Sequence, residues 1–296
     1  MFKLPINAVC LLFLFIIGYS AISQAEVIKE ERSLYRNILI EDTGNKRCLK
    51  FSVKRQTSSQ SCVYKDDPDA LVFNYTKFAM SSLVFNPEPK SVLIIGLGGG
   101  TLSNTLLRLY PDITIDNVEI DPAIIRVAKE YFDFKQSKKV KAIAQDGRIF
   151  IKRAMRQNKQ YDLIILDAFN GEYIPEHLLT KEFLQETDSL LSAQGVLVAN
   201  TFSTSELFHH ETATYHHVFG DFYSLINPKV FGNRIIMVVK DQQAKQNWQQ
   251  QVPMLSPLLQ KFDVDLKEVL SFMSIQHKPS SDYKVLTDQY SPANLL

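Results

Sequence analysis

An excess of charge of either sign is missing from this chain. Its 296 residues hold 33 Lys and Arg against 32 Asp and Glu, a formal net charge of +1. That excludes binding to nucleic acid by bulk electrostatics, which needs a cationic surplus. It does not exclude an acidic pocket for a cationic substrate, because a local pocket vanishes in the total. Cysteine is scarce too. Of three, Cys10 lies in an N-terminal apolar run, which leaves Cys48 and Cys62 in the rest of the chain. No G-x-S-x-G elbow and no Cys–His arrangement appear, so the usual serine and cysteine nucleophile motifs are excluded. "HHETATYHH" comes near H-E-x-x-H, but the second histidine would have to be Thr214, which excludes a zinc-peptidase helix. His209 and His216 share a helix face two turns apart and read as an exposed polar face, not a metal site. Repeats, low-complexity tracts and long linkers are also lacking. What is present is 45% hydrophobic and 22% charged residues, the balance of a globular chain with a large core.

Residues 1–25 do not read as ordinary fold. Lys3 precedes "AVCLLFLFIIG", and "YSAISQAEV" follows, with Ser23 and Ala25 at −3 and −1 of a cut before Glu26. A charged start, a short apolar run and a small-residue site make a secretory signal. An uncleaved anchor is the alternative, although the run is short for a span. Either way the positive residue stays inside and the rest goes out. The expectation is a protein exported to the periplasm or outside, or held at the membrane by its N-terminus. "INAVC" lacks the small residue before Cys10 that a lipoprotein signal needs.

Residues 34–64 alternate apolar and polar, as in "YRNILIED" and "CLKFSV", with Gly44-Asn45 as a turn signal. This reads as a small antiparallel β region. Cys48 and Cys62 flank two strands with a turn near Lys54–Thr57, and their midpoint is position 55. A symmetric hairpin sets them opposite each other, where an oxidising compartment could bridge them. Two unlinked small core residues are the alternative, because register is not securely written in sequence. From Asp67, "DPDALVFNYTKFAMSSLVF" has Pro68 near a helix start and apolar residues at helical spacing.

Alternation of the α/β kind follows. The runs "SVLIIGL", "ITIDNVEI", "VKAIAQ", "YDLIILDA" and "GVLVANTF" are apolar and β-branched, with helical segments expected at 102–109, 122–132, 148–157 and 180–192. That order implies a parallel sheet covered on both faces. "FYSLIN" and "NRIIMVVK" add two late strands, and "QQAKQNWQQQ" with Trp248 reads as a solvated helix. The expected divisions are 1–25 (signal or anchor), 26–66 (β domain), 67–241 (α/β domain) and 242–296 (helical extension and tail).

Ligands of such a sheet bind at the carboxyl ends of its strands, where strand order reverses. The first strand ends in "GLGGGT", so Gly96, Gly98 and Gly100 give G-x-G-x-G. A dinucleotide fingerprint wants a small sixth residue, and here it is Thr101. G-x-G-x-G is the looser loop of proteins that hold S-adenosyl compounds; a glycine-rich turn with no ligand is the alternative. The next strand ends in Glu119, whose carboxylate can accept both ribose hydroxyls. "AQDGR" then offers Asp146 to an adenine amino group, with Gly147 leaving room for the ring. For each acid alone a helix cap is the plainer reading, and Asp121 before Pro122 reads as that. Asp167 ends a strongly apolar strand, where a charge is costly unless it has a task or a partner. It is expected to face the cleft.

"VLIIGLGGG", "VEIDPAIIRVAKEYF", "QDGRIFI" and "YDLIILDAFNGEYIPEHLLTKEFLQETDSLLSAQGVLVAN" resemble the spermidine synthase family, the polyamine aminopropyltransferases. "KFSVKRQTSS" is similar to the family's N-terminal hairpin, with Gln56 at its nucleoside-contacting glutamine. "FNYTKFAM" sits at its Tyr-His-Glu helix, so Tyr75 matches the substrate-side tyrosine. The closing "VLTDQYSPANLL" resembles the membrane-associated, exported branch. The resemblance implies a methyltransferase-type Rossmann fold, with a seven-stranded, mostly parallel sheet behind a small N-terminal antiparallel β domain. It implies decarboxylated S-adenosylmethionine or S-adenosylmethionine as co-substrate, a small-molecule amine as partner, no metal, no nucleic acid and, as a further expectation, a homodimer. Three departures fall on the amine side. The family's loop carries an Asp where this chain has Gly99. The usual base, the second acid of Asp-Ser-x-Asp-Pro, is Asn170, which leaves Asp167 or Glu172. Lys77 replaces the glutamate of Tyr-His-Glu and would repel a polyamine if it faced the pocket. An S-adenosylmethionine-dependent methyltransferase and a non-catalytic exported nucleoside-binding protein are the alternatives.

Overall fold

Four short strands roof the molecule. The structure, a computed structural model, describes residues 25–53, 56–169, 174–229 and 232–290. β1 (Glu26–Arg32), β2 (Asn37–Thr43), β3 (Lys46–Val53) and β4 (Gln56–Tyr64) form an antiparallel sheet in chain order. Alternation puts Ile38, Ile40, Leu49 and Phe51 on one face, where they pack against Ala123, Ile124, Val127 and Phe132. The ladder sets Cys48 opposite Cys62, and a disulfide joins them. β1 escaped the sequence pattern because "EVIKEER" is a charged edge strand with no fully buried residue.

Behind this roof lies a sheet of eight strands. They are β5 (Ser91–Ile95), β6 (Thr114–Glu119), β7 (Val140–Ala144), β8 (Tyr161–Leu166), β9 (Leu191–Phe202), β10 (Phe222–Leu225), β11 (Asn233–Val239) and β12 (Met273–Gln276). Their order is β12-β10-β11-β9-β8-β5-β6-β7. β5 to β9 run parallel, and β10 to β12 join antiparallel. The eighth strand, β12, was hidden in the C-terminal segment.

Helices α1 (Asn74–Ser81), α2 (Thr101–Leu109), α3 (Pro122–Tyr131), α4 (Gly147–Arg156), α5 (Lys181–Asp188), α6 (Phe208–Phe219), α7 (Gln242–Asn247), α8 (Val252–Gln260) and α9 (Leu266–Ser271) cover the sheet. α1 begins later than Pro68 suggested, because Leu71 is already tied through its amide to the Phe262 carbonyl at 3.0 Å. α5 stops before 192 because Leu191 enters β9. The C-terminal segment is not an appendage to the core. Leu255, Leu259, Phe262, Val264, Leu266 and Val269 are buried with residues of β5, β8 and β9. Trp248 packs on Phe85 with ring centroids 6.3 Å apart, and so is not simply solvated.

Strand order reverses between β5 and β8, which opens a crevice at their carboxyl ends. Among the described residues no helix is long and apolar enough to cross a membrane. The expected signal or anchor lies outside those residues, save Ala25.

The Cys48–Cys62 bridge spans 14 positions of sequence. Closing a loop of that size stabilises a fold by about 3 kcal/mol in the chain-entropy model. Reduction of the wild type, or Cys62→Ser, is expected to lower the urea midpoint correspondingly, and the serine variant should no longer respond to reductant. An unchanged midpoint would show that the roof does not depend on the bridge.

Candidate functional site

The crevice holds a cleft of about 340 Å³, walled by β4, the loop after β5, and the ends of β6, β8 and β9. Gly96, Gly98, Glu119, Asp146, Gly147, Asp167 and Tyr75 all line it. Gly100 does not line it. It caps α2 with φ 78°, and a Cβ there would meet Phe134 at 2.8 Å. Gln56 opens β4, but its side chain lies outside what is described, as do residues 170–173 with Asn170 and Glu172.

Gly96 is required by the protein's own chain. Its φ is 98°, and a Cβ there would lie 2.2 Å from the Asp167 carbonyl oxygen. Gly147 is likewise required by a neighbouring side chain, and it also lines the cleft. Its missing Cβ makes way for Ile95, whose Cγ2 would be 2.5 Å away. Of the loop glycines, Gly98 is the one on the cleft whose nearest neighbour is no closer than 3.5 Å, the Ser61 hydroxyl. A Cβ on Gly99 would lie 3.0 Å from the Phe132 ring and from Ser61 Oγ. An aspartate there would have to displace them.

Glu119 is buried, and its two oxygens take the amides of Leu97 at 3.1 Å and Asp121 at 3.0 Å. A carboxylate has about four acceptor positions, so capacity remains for a diol. Burial pushes its carboxyl up, opposed by those amides and by the charge of Arg36. Asp121 caps α3 through the Ala123 amide, as its place before Pro122 suggested. Asp146 is both cap and cleft residue. Oδ1 accepts the Ile149 amide at 2.9 Å, and Oδ2 lies 3.0 Å from Nε2 of His177.

Asp167 is the most constrained acid of the site. Asn200 donates to its Oδ1 at 2.9 Å, and Asn233 donates to the Asn200 amide oxygen at 3.0 Å. That chain fixes which way the Asn200 amide points. The Tyr75 hydroxyl lies beside the same carboxylate and reaches the Gln60 carbonyl at 3.3 Å. Burial pushes the Tyr75 hydroxyl well above its usual range, so it stays a proton donor. Burial also drives Asp167 up to about 7, against the bonds from Asn200 and Tyr75 and with the charge of Glu119. A carboxylate poised near neutrality is what proton abstraction at pH 7 requires.

Arg36 roofs the cleft. It stacks on Phe51 at 4.2 Å and donates to the Phe169 carbonyl at 3.3 Å. Phe169 and Phe202 meet edge to face at 4.9 Å. Lys77 is not among the cleft residues. It pairs with Asp263 at 2.6 Å, so the repulsion it threatened does not arise. His209 stacks on Tyr283 at 4.4 Å, and His216 lies 3.3 Å from Asp221. Arg36, His177, Asn200 and Asn233 were missed in the sequence. Only Asn200 left a trace there, as an amide in the apolar run "GVLVANTF".

Asp167 holds its proton more tightly folded than unfolded. The stability this confers is present below pH 4 and is lost as pH climbs to about 7. Asp167→Asn is therefore expected to stabilise the fold at pH 8 relative to wild type, by up to a few kcal/mol, and to change little at pH 4. Melting curves at both pH values check this. Glu211, also buried and pushed up to about 7, titrates in both proteins and cancels.

The model of the spermine/spermidine synthase domain matches residues 74–264. A polyamine aminopropyltransferase of Vibrio vulnificus (strain CMCP6) is 44% identical over 298 residues, covering 99% of this chain and 100% of that one. Among solved structures, a probable spermidine synthase from Corynebacterium glutamicum ATCC 13032 superposes with a TM-score of 0.67 at 20% identity, over 90% of this chain and 98% of its own. A spermidine synthase in complex with the transition-state analogue AdoDATO gives 0.63 at 20% identity, over 83% and 84%. These two share the fold. With the family model over most of its length and a full-length relative at that identity, this chain belongs to the spermine/spermidine synthase family, the polyamine aminopropyltransferases.

Proposed function

We propose that this transferase moves the aminopropyl group of decarboxylated S-adenosylmethionine to a small amine, leaving methylthioadenosine. The observation that carries it is the buried Asp167, oriented by Asn200 and Tyr75 in one cleft with Glu119 and the glycine loop. In this reading Glu119 takes the ribose hydroxyls, Asp146 the adenine amino group and Gly98 the approach of the donor chain. Tyr75 and Asp167 meet the amine. The amine nitrogen forms a bond to the methylene carbon next to sulfur, the carbon–sulfur bond breaks, and its electron pair stays on the departing thioether. Asp167 accepts the proton that the nitrogen sheds. Its raised affinity for protons suits it to do so near pH 7.

A second reading, methyl transfer from S-adenosylmethionine, has one observation in its favour. Among the described residues the cleft's carboxylates are Glu119, Asp146 and Asp167, so a diamine's far ammonium finds no described acid of its own. The reading also includes export, or attachment to the membrane through residues 1–25, supported by the signal-like N-terminus and by the disulfide. It includes a homodimer, for which the exposed Val27, Leu34 and Tyr35 offer apolar surface. Fractionation and light scattering test these two parts.

Calorimetric titration with decarboxylated S-adenosylmethionine, S-adenosylmethionine and methylthioadenosine separates the transfer readings. The first is expected to bind more tightly than the second. Glu119→Gln, which keeps one acceptor oxygen, should weaken methylthioadenosine by ten- to a hundredfold, or about 1.5–3 kcal/mol for a lost charge-assisted bond. Equal affinity in a folded variant would remove Glu119 from the site. In turnover, kcat/KM should rise with pH through about 7 as Asp167 ionises. A profile flat between pH 5 and 8 would exclude Asp167 as the base.

A further inference from the structure

A strap of chain, residues 283–290, crosses the outside of the cleft wall. Tyr283 stacks on His209 at one end. Leu286 is buried with Leu179 and Leu207, and Ile174 packs on the same cluster. The Leu286 amide donates to the Thr214 hydroxyl at 2.9 Å, and its carbonyl accepts the Lys181 amide at 2.9 Å. Asp288 then closes on α4. Its carboxylate takes Nη1 and Nη2 of Arg148, both at 2.7 Å, and the Thr180 hydroxyl at 2.7 Å. Its own amide donates to Glu182 at 3.0 Å.

Arg148 is where the strap meets the site. It is buried, and it follows Asp146 and Gly147 of the cleft. Glu186 takes its Nε and Nη2 at 2.8 and 3.0 Å. Nη1 also donates to the His177 carbonyl at 3.3 Å. A guanidinium has five N–H donors in one plane. These contacts use all five, so the group has one orientation while both carboxylates are present. That orientation ties the start of α4, which carries Asp146, to the backbone of His177, whose ring lies 3.0 Å from Asp146. The hydrogen bond from Arg148 pulls the Asp288 carboxyl down to about 2, so the tie is charged at every working pH.

We infer that Asp288, acting through Arg148, is a positioning residue for base recognition, fixing the Asp146–His177 pair that selects an adenine amino group. This rests on the nucleoside reading above. Asp288 itself touches no part of the cleft. Its effect is to hold the two halves of the base-binding wall at one separation, whereas an anchor that only stabilised the fold would leave selectivity untouched.

The test compares methylthioadenosine with its hypoxanthine counterpart, which replaces the amino group by an oxygen, in calorimetric titrations of the full chain. Wild type should prefer the adenine form by more than about tenfold, the worth of a charge-assisted hydrogen bond. Asp288→Ala should reduce that preference several-fold or more, and Thr180→Val should shift it the same way by less. Tyr283→Ala, at the other end of the strap, should lower the melting temperature and leave the preference unchanged. If Asp288→Ala is too unstable to titrate, the Thr180→Val and Tyr283→Ala pair decides. Undiminished preference in the folded Asp288 or Thr180 variant overturns the inference alone. A wild type that binds neither nucleoside, or both equally, overturns the nucleoside reading and the inference with it.

Discussion

A carboxylate buried at the end of an apolar strand sets the terms for the rest of this site. β8 is "YDLIIL", and Asp167 follows it into a place where an unpaired charge would cost several kcal/mol. The surroundings answer that cost only in part. Asn200 donates one bond, Tyr75 lies alongside, and the group still titrates near 7 instead of in the usual carboxylate range. Asn233 is needed because it decides which end of the Asn200 amide faces the acid. Gly96 is needed because the Asp167 carbonyl passes where a side chain would begin. The arrangement leaves an acid that is neither fully satisfied nor free, the state a proton acceptor at neutral pH needs.

The two sheets meet at this point and give the cleft its depth. The roof is fastened to the α/β body through α3, whose Ala123, Ile124 and Val127 fill the underside of β2 and β3. Arg36 extends the fastening across the mouth by donating to the Phe169 carbonyl. The edge strand β4 supplies Ser58, Ser59, Gln60 and Ser61 as a small, polar wall. Bulky residues there would fill the volume in which a ligand could lie.

The C-terminal segment does more than its composition suggests. α8 and α9 enter the central core, and β12 extends the sheet. Lys77, which the family resemblance set on the amine side, pairs instead with Asp263, just before α9. The same segment thus pairs Lys77 and, at its far end, engages Arg148, two residues after Asp146 of the cleft.

Legible in the residues alone were the α/β alternation, the glycine loop, the acids at three successive strand ends and the hairpin between Cys48 and Cys62, though not its register. Each of these is local: a period, a turn residue, or a charge at the end of an apolar run. The family resemblance was legible for the same reason, since its motifs are contiguous. Tertiary structure alone decided the remainder. That Gly147 makes way for Ile95, that Lys77 pairs with Asp263, and that Arg36, His177 and Asn233 reach the cleft depend on contacts between residues distant in sequence. Such contacts leave no periodic trace in the sequence. A side chain's role follows from what stands opposite it, and that partner is fixed only when the sheets and the strap have packed.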